Sequence, residues 1–198
     1  MAKSFGRHPV LKDVSFQAEK GRIIAIMGEN GAGKSTLLKI LVGLLKPDLG
    51  KIVLYGSLGY CPQELLIFDR LTVLENLKYF YTAYGLGELP ATNTGNKYLD
   101  TLLEKLNFKE YQNTPVTHLS GGTKQKLNLT LALLSEPELL ILDEPYAAFD
   151  WQTYLYFWEL AVEWRDRGKS IILVSHIIYD RSKIDTLYEL RDGILQCA

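Results

Sequence analysis

Two short stretches of this 198-residue sequence hold residue types suited to handling phosphate groups. The first, Gly28-Glu29-Asn30-Gly31-Ala32-Gly33-Lys34-Ser35-Thr36, fits the pattern G-x-x-x-x-G-K-[ST]. Its glycines let the backbone curl until the N–H groups face a phosphate chain. Lys34 supplies a charge for the β- and γ-phosphates, and the Ser35 hydroxyl suits magnesium. The second is the apolar run Leu139-Leu140-Ile141-Leu142 ending in Asp143-Glu144. It sets two carboxylates at the carboxyl end of an expected buried strand, where open α/β sheets bind ligands. There Asp143 is placed to hold a magnesium shell through water, and Glu144 to polarise a water that attacks a γ-phosphate. Each stretch also has a plainer explanation: a glycine turn between strand and helix, and a strand ending in two solvated acids. Together they point to nucleoside triphosphate chemistry without saying which kind.

A third stretch, Leu119-Ser120-Gly121-Gly122-Thr123, puts a second glycine pair at the head of an expected helix. From the residues alone this is either an ordinary cap and turn or an anion site at a helix N-terminus.

The elements that must position these residues follow from the hydrophobic pattern. Residues 14–18 alternate like a strand, and residues 22–27 form a β-branched run that ends in glycine, as a buried strand would. Residues 35–45 have helical length and composition and stop at a Lys-Pro-Asp-Leu-Gly turn. Residues 51–54 and 58–60 read as short strands. From residue 71 to about 113 the pattern is helical and aromatic, with a loop over 85–96. A helix from Ser120, a strand at 139–142, a helix at 152–166, a strand at 170–174 and a hairpin around Arg191-Asp192-Gly193 complete the chain. Strands alternating with helices predict an α/β fold with a largely parallel, doubly wound sheet.

Composition limits the class of protein. With 47% hydrophobic residues the chain can bury the core of one domain, and a net charge of -1 gives no broad footprint for nucleic acid. Two cysteines, Cys61 and Cys197, suggest neither a disulfide framework nor a zinc site, which fits a reducing cytosol. The N-terminal residues lack an apolar signal region, and the apolar runs fall short of the ~20 residues a bilayer requires. Asn128-Leu129-Thr130 matches a glycosylation sequon, to which no weight is given without a signal peptide.

In order, the glycine loop, Tyr60-Cys61-Pro62-Gln63, the stretch from Leu119, Asp143-Glu144, Asp150 and His176 resemble the ATP-binding-cassette (ABC) ATPases over nearly the whole chain. The resemblance implies a P-loop NTPase-type, mostly parallel sheet with a small antiparallel β part. It also implies one domain over 1–198, with a helical subdomain inserted at approximately 64–118. ATP and Mg²⁺ are the implied ligands. Residues 28–36 are implied to hold the nucleotide, with Ser35, Gln63 and Asp143 at the metal and Glu144, His176, Lys34 and Gln63 in catalysis. Gln63 matches the glutamine that senses the γ-phosphate, and His176 the histidine that orients the attacking water. Ser120, Gly121 and Gly122 match the signature that caps ATP held by a second subunit, and Asp150 the aspartate that couples the two sites. Phe5 matches the aromatic that stacks on adenine; it equally suits a side chain covering the sheet.

Departures from the family pattern stand beside the matches. Thr123 replaces the more common glutamine, Tyr146 takes a place that is usually small and polar, and Met1 to Ser4 alone precede Phe5, where a further strand is usual. Trp151, Tyr154 and Trp158 fall at helical spacing and read as packing. Phe68, Tyr79, Phe80, Tyr81 and Tyr84 are either core or a patch for a membrane partner. His8 and His118 have no ligand-spaced companions. Asn96-Lys97-Tyr98-Leu99-Asp100 misses the guanine-binding NKxD spacing by one residue. The leading expectation is the ATP-hydrolysing subunit of a transporter, on the cytoplasmic face of the membrane. Its expected partners are a second ABC subunit, in a homo- or heterodimer, and a separate membrane-spanning subunit, with no nucleic acid. The alternative is a soluble ABC protein acting on nucleic acid or the ribosome, and a P-loop kinase or GTPase is a third reading.

Overall fold

The computed structural model describes residues 1–89, 96–176, 178 and 180–198. They group into two units: Met1–Tyr60 with Glu138–Glu144 and Ala161–Ala198, and Cys61–Pro137 with Pro145–Leu160.

The first unit is organised by its β-branched runs. β1 (Lys3–Phe5) and β2 (His8–Leu11) pair antiparallel as a small separate sheet. β3 (Ile23–Met27), β4 (Leu58–Cys61), β5 (Leu139–Asp143), β6 (Ser170–Val174), β7 (Thr186–Arg191) and β8 (Ile194–Cys197) form the main sheet, in the order β4-β5-β6-β3-β7-β8. β5, β6, β3 and β7 run parallel, and β8 turns back antiparallel on β7. Asp192 and Gly193 both hold positive φ in that last turn, the geometry a tight hairpin selects. Every residue of β6 is buried, as expected of a strand covered on both faces.

α1 (Lys34–Leu41) follows the glycine loop and buries Leu37, Leu38, Ile40 and Leu41. These join Ile24, Ile26, Ile141, Ile172 and Val174 in one core. Removing the Leu37 side chain beyond Cβ would cost about 2–5 kcal/mol, the usual range for a buried leucine. That core holds the loop ahead of α1 in place.

The second unit carries α2 (Val73–Ala83), α3 (Lys97–Lys105), α4 (Gly121–Leu133) and the first ten residues of α5 (Trp151–Asp166). α2 begins with a reciprocal capping box between Thr72 and Glu75. Asn96 caps α3 by accepting from the Tyr98 and Leu99 amides, so the NKxD-like stretch is a helix start. α4 has no polar face: Thr123, Gln125, Lys126, Asn128 and Thr130 are buried along with its leucines. Asn128 and Thr130 find backbone carbonyls to bond, whereas Gln125 Nε2 is buried without a hydrogen-bond partner among the described residues.

Several sequence expectations need correction. Residues 14–18 and 51–54 form no strand among the described residues. Val14 is buried singly and donates its N–H to the Met1 carbonyl, while Val53 and Leu54 face solvent. Alternation marks which side chains turn inward, but a strand also requires a neighbouring backbone to pair with. Tyr154 and Trp158 are buried as expected, whereas Trp151 is 67% exposed at the first position of α5 and stacks on Tyr154. Tyr146 is buried against the rings of Tyr154 and Phe157. Phe68, Tyr79 and Tyr84 are exposed, and their rings join Phe80 in one cluster. Asn128 is 2% exposed within α4, which rules out the sequon reading in the folded chain. The loop expected over 85–96 lies partly outside the described residues.

Candidate active site

Residues 28–36 join the end of β3 to the start of α1. Gly33 has φ of 104°, and a Cβ there would come within 3.0 Å of Leu11 Cδ2, so this turn requires glycine. No side chain caps α1 and its first turn holds no acid, whereas α2, α3 and α4 all begin with a side-chain cap. The N–H groups at the head of α1 are therefore available to an anion. Lys34 Nζ donates to the Gly28 carbonyl at 2.7 Å and the Glu29 carbonyl at 3.0 Å, which folds the side chain back over the loop. The Ser35 side chain belongs to an exposed residue. A cleft of about 460 Å³ opens alongside, lined by Gly28, Glu29, Asn30, Tyr188, His176 and Arg181 among others. An uncapped helix start, a glycine turn and a lysine folded over it together fit a bound triphosphate.

The carboxylates lie at the end of β5 in the same unit. Glu144 has φ of 50°, a left-handed backbone that costs a non-glycine residue roughly 1–2 kcal/mol. Its N–H donates to the Val174 carbonyl at 2.9 Å. Ser175 Oγ donates to its Oε2 at 2.9 Å, and the His176 N–H donates to its Oε1 at 2.8 Å. His176 Nδ1 lies 2.8 Å from the same Oε1. An ionised carboxylate can only accept, so this contact calls for a proton on Nδ1. Asp143 is 5% exposed. Burial, reinforced by the neighbouring Glu144, pushes its carboxyl up to about 6, with Lys34 and Lys39 pulling the other way. A buried acid in that condition is poised to ionise when a cation arrives.

The remaining predicted site residues belong to the second unit, except Phe5, which belongs to the first. Ser120 caps α4, its Oγ accepting from the Thr123 N–H at 3.2 Å and pairing with Thr123 Oγ1 at 2.9 Å. Thr123 therefore tightens the cap in place of the usual longer amide. A Cβ on Gly122 would sit 2.7 Å from the Ala148 carbonyl, whereas one on Gly121 would meet nothing within 4 Å. Gly122 is fixed by the neighbouring loop, and Gly121 is the glycine open to a visitor. The Asp150 carboxylate accepts from the Thr153 N–H at 2.8 Å and the Thr153 hydroxyl at 3.1 Å. The Thr153 amide leads in lowering its pKa. Gln63 is exposed two residues beyond β4. Phe5 is 53% exposed at the end of β1, with Lys3 Nζ 5.8 Å from its ring centroid.

Sequence reasoning did not assign Ser175 or Asn128 a role. Ser175 is signalled by its place immediately before His176. Asn128 carries no local signal, since its partners lie more than sixty residues away in the chain.

Comparison with known proteins identifies the family of the chain. The chain is 32% identical over 176 residues to an uncharacterised ABC transporter ATP-binding protein from Methanocaldococcus jannaschii, covering 89% of this chain and 66% of that protein. It is 32% identical over 206 residues to Nod factor export ATP-binding protein I from Rhizobium etli, covering 98% and 64%. A human relative, ATP-binding cassette sub-family A member 10, is 32% identical over 203 residues, covering 94% of this chain and 13% of that protein. The chain thus spans less than two thirds of the length of these relatives. A solved ATP-binding subunit of an ABC transporter superposes with a TM-score of 0.87 at 29% identity, covering 100% of this chain and 86% of that one. The family model described as ABC transporter matches residues 11–147, and this chain belongs to that family.

Proposed function

We propose that this chain binds and hydrolyses ATP as the nucleotide-binding subunit of an ABC transporter, at the cytoplasmic face of a membrane. The observation that carries the reading is the Glu144 carboxylate, held by Ser175 and His176 at the end of β5, in the same unit as the uncapped start of α1. In this reading the N–H groups of residues 28–36 and the Lys34 ammonium bind the phosphates of ATP. Glu144 takes a proton from the attacking water while the bond between the γ-phosphorus and its bridging oxygen breaks, releasing ADP and phosphate. His176 orients that water, and Phe5 stacks on the adenine. Ser35, Gln63 and Asp143 would hold Mg²⁺, which when bound neutralises charge on the phosphates.

Ser120, Gly121 and Gly122 serve the nucleotide of a second ABC subunit, and Asp150 couples the two sites. Gly121 supports this role because a Cβ there meets no neighbour within the chain. Among the described residues no helix is long and apolar enough to cross a membrane, and the proposed membrane-spanning partner is a separate subunit. Relatives named as transporter and export ATP-binding proteins support the transport role.

Hydrolysis by the purified chain, compared with Glu144→Gln, tests the enzymatic part. Binding of ATP should persist while turnover falls roughly 10²- to 10⁴-fold, the scale of a lost general base. Equal turnover in both proteins would remove Glu144 from the reaction. Tagged Glu144→Gln, purified with ATP from detergent-solubilised cells, should carry a stoichiometric multi-span membrane protein. Ribosomal proteins in its place would move the function to a soluble ABC ATPase.

A further inference from the structure

Gln63 sits in an exposed segment, residues 63–66, that carries Leu65 and Leu66 into solvent. Such a segment has little apolar burial to fix it, so its hydrogen bonds decide where it lies. Two buried asparagines hold the backbone at and just beyond it. Asn128 on α4 donates from Nδ2 to the Pro62 carbonyl at 2.9 Å and accepts at Oδ1 from the Leu66 N–H at 3.2 Å. It therefore grips the backbone on both sides of Gln63. Asn76 on α2 accepts from the Phe68 N–H at 2.8 Å and donates to the Phe68 and Thr72 carbonyls at 3.1 and 3.0 Å. Asn128 is 2% exposed and Asn76 0%, so losing a backbone partner strands a buried amide group.

The two clasps are not equivalent. Asn76 fixes Phe68, two residues beyond the segment, to α2. Asn128 fixes Gln63 to the helix that begins with Ser120, Gly121 and Gly122. Its side chain alone supplies a donor for a carbonyl on one side of Gln63 and an acceptor for an amide on the other. The asparagine amide carries both groups on one rigid plane. An aliphatic residue would fill the same buried volume and grip nothing.

We propose that Asn128 is a positioning residue, locking the Gln63 segment to α4 so that Gln63 and the Ser120-Gly121-Gly122 motif are placed as one body. The proposal rests on the reading of Gln63 as a group that acts on bound nucleotide. It gives that reading a physical link: a displacement of Gln63 is passed to α4 through two hydrogen bonds. A residue with this role acts through Gln63, so its effect on turnover must vanish once Gln63 is removed.

The test is a double-substitution cycle in the full chain, using Asn128→Ala, Gln63→Ala and the pair. Asn128→Ala should lower kcat by about tenfold to 10²-fold, the scale of an ångström-level misplacement, with KM for ATP within about twofold. In the Gln63→Ala background it should lower kcat no further. Amide exchange in the nucleotide-free protein gives a second readout: Asn128→Ala should expose the Leu66 amide and leave the Phe68 amide protected. Asn128→Ser, which can keep one of the two bonds, should fall between the parent and Asn128→Ala in both measurements and covers the case in which alanine prevents folding. Effects on kcat that multiply across the cycle would overturn the proposal, as would an Asn128→Ala chain with unchanged kcat or an unchanged Leu66 amide. Failure of the parent chain to bind or hydrolyse ATP would instead refute the proposed function itself.

Discussion

α1 and α4 both begin beside glycine, and they begin differently. α1 follows Gly33 with no side-chain cap and with Lys34 at its first position. α4 follows Ser120, whose hydroxyl already satisfies the Thr123 amide. A helix start left with unsatisfied amides is incomplete until an anion arrives, which suits a site that keeps its nucleotide. A capped start with one open glycine is complete without a ligand, which suits a surface that meets a nucleotide held by another chain. In the proposed function the same local ingredients, glycine and a helix N-terminus, serve as a binding site in one place and a docking face in the other, with the cap as the difference between them.

The largest effect that sharpens this contrast is at Lys34. Lys34→Ala should lower ATP hydrolysis at least about 10²-fold, the scale of losing one donor to developing charge, and should weaken ATP binding. Turnover and titration of the purified variant measure both, and normal hydrolysis would break the first half of the comparison. Next come the two glycines of α4. Gly122→Ala drives a Cβ to 2.7 Å from the Ala148 carbonyl and should destabilise the fold by about 1–3 kcal/mol, read from the denaturant midpoint. Gly121→Ala should leave that midpoint within about 0.5 kcal/mol and weaken ATP-driven dimerisation. Equal losses of stability would mean that Gly121 is structural too.

The smallest effect is a pH dependence at Asp143. Its carboxyl is raised from 3.8 to about 6, so the protonated form is favoured in the folded chain. That contribution to stability is fully present below pH 3.8 and is lost as pH rises through about 6. Asp143→Asn should therefore stabilise the nucleotide-free chain at pH 8 by up to about 2 kcal/mol, a figure reduced for partial solvent screening, and hardly at all at pH 4. Denaturant midpoints at the two pH values measure the difference, and an equal gain at both would place its cause elsewhere.

What the sequence made legible was local. The loop at 28–36, the carboxylates after β5 and the Ser120 start of α4 are contiguous runs whose turn chemistry and periodicity act within a few residues. Residues 14–18 and 51–54 show the limit, because neither alternation nor a short β-branched run supplies a pairing partner. Gly122 is a second case: it looks like half of an anion cradle, yet its missing Cβ is required by the Ala148 carbonyl. Asn128 is the sharpest case. In sequence it is the first residue of a sequon; folded, it is a buried amide whose partners, Pro62 and Leu66, lie at 66 and 62 positions' separation. Ser175 is a different case: its place before His176 marks it in the sequence, but its role shows only once Glu144 is brought to 2.9 Å from its hydroxyl.

The central claim is that the start of α1 holds a nucleotide and the start of α4 meets one in trans. Light scattering of Glu144→Gln with and without ATP, repeated after adding Ser120→Arg, tests it most directly. The account predicts a dimer in Glu144→Gln that requires ATP, and a monomer that still binds ATP once arginine occupies position 120. A monomer in saturating ATP without the arginine, or a dimer that persists with it, would contradict the account.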